Sequence, residues 1–311
     1  MACMKKIALS LLAVLVGLVG LMAAFPEDAT RIMIGLERQR AGLELQSVVV
    51  DGETWPYLEG GSSDAPVLLL LHGFGGDKDN WTRFSRTLVE NYRVIAPDLP
   101  GFGDSARHPD WDYSLTAQRD RLEGFVADLE LSPLHIGGNS MGGQLAALYT
   151  HTHPEQVESL FLLNNGGIDA PTTSEFVLAV RRGENPLILS SPDDFDRLLS
   201  LAAHEPLFIP WPAKNILAQK TFEYASFNRY IFTALRDERR VRLEPLLGDI
   251  KEPVLIIWGE FDRVLDVSSI DVMAPLLPQA KVIVMQDTGH LPMLERPAET
   301  AAYYLEFLAE L

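Results

Sequence analysis

The stretch LHIGGNSMGGQLAALY, residues 134–149, decides how this chain is read. An apolar run from Leu134 to Gly137 leads into Gly138-Asn139-Ser140-Met141-Gly142, and the helical pattern of Gln144 to Tyr149 follows. A G-x-S-x-G between a strand and a helix marks a sharp turn that thrusts the serine hydroxyl outward. Sterics explain the glycines. So tight a turn leaves no room for a Cβ at Gly138 or Gly142, and Gly143 lets the helix approach the sheet closely. A glycine-rich turn that merely packs would not require a strand on one side and a helix on the other. Ser140 is therefore the candidate nucleophile.

Outward from this turn, short apolar runs bounded by turn residues recur: Val67 to Leu71, Val94 to Ala96, Leu160 to Leu163, Val254 to Trp258 and Val282 to Met285. Their apolar character is continuous rather than alternating, which marks strands buried on both faces of a mostly parallel sheet covered by helices. The fold class is α/β, with a doubly wound sheet. Before it, Ser47 to Asp51 and Thr54 to Glu59 flank Asp51-Gly52 and read as an antiparallel hairpin. Residues 167–247 break the rhythm. They are helical and aromatic, punctuated by Pro171, Pro186, Pro192, Pro206, Pro210 and Pro212, and read as an inserted helical cap between core segments 47–166 and 248–311. Singly, Phe208, Trp211, Phe222, Tyr224, Phe227, Tyr230 and Phe232 read as core residues. Together they suggest an apolar roof.

A serine hydroxyl is protonated at neutral pH, so it needs a base, and the base needs a partner that fixes its tautomer. With this kind of elbow the acid follows a late strand and the histidine follows the last one. Asp262 sits just past Val254 to Trp258, and His290 just past Val282 to Met285. Asp266 opens Asp266-Val267-Ser268, which suits a helix cap as well as it suits an acid. Glu260 and Asp287 are the remaining rivals. His108, His151, His153 and His204 fall in surface-like or cap contexts. Two backbone donors are needed for a developing oxyanion: Met141, which follows the serine, and Phe74, in the glycine-rich turn His72-Gly73-Phe74-Gly75-Gly76. His72 reads as a structural hydrogen-bonder beneath that turn. Leu291 and Met293 are candidate substrate contacts, although ordinary packing explains them equally well. Nothing resembles a phosphate-cradling loop or a metal-spaced ligand cluster, so no cofactor and no metal are implied.

With 43 acidic against 26 basic residues, a net charge of −17, the chain has no basic stripe to track a phosphate backbone, and nucleic acid is excluded as a partner. The single cysteine, Cys3, excludes an internal disulfide. At the N-terminus Lys5 and Lys6 precede an unbroken apolar run from Ile7 to Phe25. About 19 residues make roughly 28 Å of helix, just enough to span a bilayer. A cleaved signal is the competing reading, but Leu21-Met22-Ala23-Ala24-Phe25 offers a poor processing site. Residues 1–25 are thus read as a membrane anchor. Lys5 and Lys6 on one flank, against Glu27 and Asp28 on the other, place the main domain outside. Residues 26–46, with Ile32, Leu36 and Leu43 among charged neighbours, read as a juxtamembrane amphipathic helix. Its apolar face could meet lipid, the domain or a second copy.

His72-Gly73-Phe74-Gly75-Gly76, Asp98-Leu99-Pro100-Gly101-Phe102-Gly103-Asp104-Ser105, Gly138-Asn139-Ser140-Met141-Gly142-Gly143 and Gly289-His290 together resemble the α/β-hydrolase family over residues 47–311. Within it, the hydrophobic leader with Asp77-Lys78-Asp79-Asn80-Trp81 and Asp262-Arg263-Val264-Leu265-Asp266-Val267-Ser268-Ser269 resembles the bacterial membrane-anchored phospholipases A of the PlaF type. The membrane-bound monoacylglycerol lipases are more distantly similar. The resemblance implies hydrolysis of carboxylic esters in acyl lipids, a periplasm-facing domain held to the inner membrane, and a homodimer formed through the N-terminal helices. The alternatives are a monoacylglycerol or short-chain esterase and a carbon–carbon bond hydrolase, both with the same triad, and a non-catalytic lipid-binding protein.

Overall fold

The computed structural model describes residues 16–237 and 241–311. One eight-stranded sheet organises the chain: β1 Leu43–Val50, β2 Glu53–Gly60, β3 Val67–Leu71, β4 Arg93–Pro97, β5 Leu134–Asn139, β6 Val157–Leu163, β7 Val254–Gly259 and β8 Lys281–Met285. The order across the sheet is β1-β2-β4-β3-β5-β6-β7-β8. β1, β2 and β4 pair antiparallel, and every pair from β4 through β8 is parallel. The continuous apolar runs of β3 to β7 are buried on both faces, as that character requires, but the run Val282 to Met285 is not: β8 is the edge strand and leaves Val282 and Val284 exposed. Leu69, Leu71, Ile136, Leu160, Leu162, Ile256 and Trp258 join one core cluster, while Leu68, Leu70, Phe161, Leu163, Leu255 and Ile257 join the other. This is the two-residue period of a strand.

The helices are α1 Pro26–Arg40, α2 Leu115–Asp128, α3 Met141–Thr152, α4 Glu175–Arg181, α5 Phe195–Ala202, α6 Ala213–Glu223, α7 Ala225–Leu235, α8 Glu244–Leu247, α9 Ser269–Met273, α10 Pro292–Glu295 and α11 Pro297–Leu308. Leu122 and Phe125 of α2 and Leu145 and Leu148 of α3 cover one face of the sheet. Tyr304, Phe307 and Leu308 of α11 cover the other. Fully burying one such large apolar side chain contributes roughly 1.5–3 kcal/mol. α4 to α8 lie between β6 and β7, where an insertion carries them over the C-terminal ends of the parallel strands. Several cap aromatics expected in a core are instead exposed: Phe208, Trp211, Phe222 and Tyr230. Phe232 does face inward, its ring 5.5 Å from that of Phe74.

The amphipathic helix expected over residues 26–46 ends at Arg40. Gly42, at φ +68°, turns the chain out of the helix, and Leu43 then pairs with Gly60 as the first residue of β1. Leu43 is buried in the core for that reason, while Ile32 and Leu36 stay exposed. α1 is fastened to the main domain by Arg38, whose Nε and Nη2 donate to the two carboxylate oxygens of Asp79 at 2.7 and 2.6 Å. Residues 7–15 of the expected anchor lie outside the described residues. Residues 16–24 are helical, with Val16, Leu18, Val19 and Leu21 exposed. Among the described residues no helix is long and apolar enough to cross a membrane.

Candidate active site

β5 ends at Asn139, and Ser140 takes the turn into α3 at φ +56° and ψ −119°. That backbone region costs a non-glycine residue roughly 1–3 kcal/mol, so the surroundings must hold it. Ser140 donates its N–H to Leu163 O at 3.1 Å, and its own carbonyl accepts from Gly166 at 2.8 Å. A Cβ at Gly142 would stand 2.2 Å from Leu71 O, and one at Gly138 2.4 Å from the Gly142 carbonyl carbon. Both glycines are thus demanded by close approach of backbone to backbone.

Asp262 and His290, from the loops after β7 and β8, meet beside this turn. His290 Nδ1 and Asp262 Oδ2 are 2.7 Å apart, and both side chains are buried. The carboxylate is held on every side: Oδ1 accepts the N–H groups of Val264 and Leu265 at 2.8 and 2.9 Å, and Oδ2 accepts from Asn164 Nδ2 at 2.7 Å. Asn139 Nδ2 donates to His290 O at 3.0 Å, so the residue preceding Ser140 fastens the histidine loop across the chain. Asp266 is not part of the cluster. Its Oδ1 accepts the Ser268 N–H at 3.0 Å, which closes a turn ahead of α9 rather than capping the helix, whose N-cap is Ser268 with no side-chain cap.

Met141 is the first residue of α3, so helical geometry leaves its N–H without an intrahelical acceptor. Phe74 lies in the turn beneath which His72 is fully buried. Leu99 donates its N–H to His72 Nε2 at 3.0 Å, which places the ring proton on Nδ1, 2.8 Å from Gly73 O. Burial lowers the pKa of His72 and keeps it neutral. Met293, an expected substrate contact, is fully buried in the second core cluster among the chains beneath α11, and Leu291 packs against the same cluster. Proline at 292 starts α10 and turns Met293 inward, so packing accounts for both residues.

Residues 68–303 match the family described as the alpha/beta hydrolase family. The chain belongs to that family. It is 33% identical to lipase 1 of Psychrobacter immobilis, covering 94% of this chain and 93% of that protein. It is 31% identical to the human monoacylglycerol lipase ABHD6, covering 92% of this chain and 88% of that protein. Among solved structures, a membrane phospholipase A described as a bacterial virulence factor is 45% identical, with a TM-score of 0.91 and 98% of each chain covered.

Two residues of this α/β hydrolase's site escaped the sequence reading. Asn164 stands at the C-terminal end of β6, where open parallel sheets collect functional side chains, and that position is the signal that could have found it. Glu295 carries no such signal. Its carboxylate accepts the N–H groups of Gly289, at 3.1 and 3.0 Å, of Leu291 at 3.1 Å and of His204 at 2.7 Å, tying both sides of His290 to the cap. Next to the Phe74 turn, fully buried Lys78 donates to Asp98 and Asp104 at 2.7 and 2.8 Å, and Lys220 of α6 reaches Asp104 at 2.8 Å. Burial opposes the Lys78 charge, but the carboxylates outweigh it and hold its pKa above the usual value.

Proposed function

We propose that this protein is a serine hydrolase of the lipase and phospholipase type that cleaves carboxylic esters of acyl lipids at a membrane. Ser140 attacks the ester carbonyl as His290 Nε2 takes the hydroxyl proton. The N–H groups of Phe74 and Met141 hold the tetrahedral oxyanion. His290 returns its proton to the departing alcohol, leaving the acyl group on Ser140, and then activates the water that releases the fatty acid. Asp262 keeps the imidazole in the tautomer with Nδ1 protonated and stabilises the imidazolium. The observation that carries this reading is the 2.7 Å contact of His290 Nδ1 with a fully buried Asp262 carboxylate, on a loop fastened to the Ser140 turn by Asn139.

Residues 7–25 would anchor the chain as a single pass in the inner membrane, with the catalytic domain on the periplasmic side. Lys5 and Lys6 against Glu27 and Asp28 support that orientation, as does the likeness to a protein described as a membrane phospholipase A. The exposed Val16, Leu18, Val19 and Leu21 then face lipid, or a second copy in a homodimer. The test is mass-spectrometric detection of fatty acid released from phospholipids, lysophospholipids, monoacylglycerols and short esters by full-length protein in detergent. Release from the lipids that vanishes in Ser140→Ala supports the reading. Activity on short esters alone refutes the lipid part, and release that survives Ser140→Ala refutes the assignment of the nucleophile.

A further inference from the structure

The last carbonyls of a helix have no donor within the helix and must find one elsewhere. At the C-terminal end of α5, in the cap, those donors come from the two loops that carry the proposed acid and base. Ala202 O accepts the backbone N–H of His290 at 2.8 Å. Ser200 O and Ala203 O both accept from Nη2 of Arg263, the residue after Asp262, the second at 3.1 Å. A guanidinium beside these carbonyls also complements the negative end of the helix dipole.

The close approach is built into the backbone. A Cβ at Gly259, the last residue of β7, would stand 2.0 Å from Gly289 O, and one at Gly289 would stand 2.6 Å from the His204 nitrogen. The histidine loop is thus wedged between the end of β7 and cap residues 202–204, with no side chain to separate the three backbones. The His204 ring stacks on Phe261 of the acid loop, with centroids 4.3 Å apart. The start of α4 holds the same loop: Phe176 donates its N–H to Arg263 O at 3.0 Å, and the Ser174 hydroxyl donates to Val264 O at 2.7 Å. A lid must part from what it covers. This edge of the cap cannot do so without taking away the partner of the His290 N–H.

Arg263 is itself exposed. Water can replace its hydrogen bonds to the two carbonyls at little cost in stability, but water does not hold them in one direction. We propose that Arg263 is a positioning residue for ester hydrolysis. By drawing the carbonyl end of α5 onto the acid loop it fixes Ala202 O, which sets the place of the His290 backbone, and this edge of the cap is a fixed part of the catalytic apparatus. The inference rests on the serine-hydrolase reading and adds to it the residue through which the cap acts on the base.

The test measures kcat and KM for a short p-nitrophenyl ester, and the melting temperature, with full-length protein in detergent. Arg263→Ala is expected to lower kcat about tenfold, because a loosened histidine is misplaced in the transition state, while KM changes by less than about twofold. Its melting temperature is expected to fall by no more than about 4 °C. Arg263→Lys keeps a donor for the carbonyls and is expected to lie between parent and alanine in kcat, and it carries the test should the alanine variant fail to fold. An unchanged kcat overturns the proposal, as does a loss confined to KM, which would make this edge of the cap a binding wall. A lysine variant as slow as the alanine one overturns the role through the carbonyls. In each of these cases the parent still turns over ester and the hydrolase reading stands. No turnover by the parent overturns that reading and the proposal with it.

Discussion

Replacing Glu295 by alanine is expected to destabilise the protein and slow it at once. Its carboxylate accepts three backbone N–H groups in four contacts of 2.7–3.1 Å, from the residues before and after His290 and from His204 of the cap. A hydrogen bond to a charged acceptor contributes roughly 1.5–3 kcal/mol. The three donors share two oxygens and water reaches the half-buried side chain, so the total loss is about 3 kcal/mol rather than the full sum. At about 2–4 °C per kcal/mol for a domain of this order of size, the melting temperature falls by ~6–12 °C. The same N–H groups set the height of the histidine loop, and a displacement on the order of 1 Å in a catalytic group costs about 100-fold in rate. A drop in kcat of roughly 10–100-fold is therefore expected. Glu295→Gln keeps one acceptor but turns an amide N–H onto a backbone N–H, so it should fall between parent and alanine. Thermal melting and ester turnover measured on the same preparations decide it. An alanine variant that melts within about 2 °C of the parent with unchanged kcat would show that the histidine loop stands without this carboxylate.

Three further outcomes follow from single observations. Ser140→Gly relieves a φ of +56° and should melt higher by about 1 kcal/mol equivalent while losing turnover; a lower melting temperature would mean that the elbow is not strained. Lys78→Met leaves the buried Asp98 carboxylate without its cation and should cost about 3–5 kcal/mol in denaturant unfolding, whereas an effect under about 1 kcal/mol would refute the view that the pair is buried and dry. Burial, with Asp79 and Asp98 nearby, raises the Asp77 carboxyl to about 7. Because the folded-state value lies above the unfolded one, the folded chain holds this proton more tightly. The stability it contributes is complete below the usual carboxylate range and is lost as pH rises through about 7. Asp77→Asn should remove that decline, so the variant gains on the parent between pH 5 and pH 8 in melting experiments. Parallel pH profiles would place the titration elsewhere.

The sequence alone determined the sheet, the elbow and the chain order of the site, because each is written in neighbouring residues. An apolar run of about five residues bounded by turns is a buried strand wherever it pairs. Gly138 and Gly142 mark a steric requirement local to five positions. Asp262 and His290 were legible since each directly follows a strand of a parallel sheet, and strand ends converge there whatever the loops between them do.

What only the tertiary structure decided depends on contacts between residues far apart in the chain. Asn139 and His290 are 151 positions apart, and Asn164 and Asp262 are 98. Each asparagine sits at the C-terminal end of a strand, but nothing local says which distant group it will meet. Glu295 acts through backbone groups of the histidine loop and of the cap, which meet only because the cap docks on the core. The end of α1 at Arg40 was settled by the pairing of Leu43 with Gly60, which competes with helix for the same backbone groups. Met293 has an apolar side chain that suits a cleft or a core equally, and the path of the chain after Pro292 turned it into the core. Periodicity and sterics act over a few residues and leave their mark on the sequence. Docking fixes which distant groups satisfy one another, and no local pattern records it.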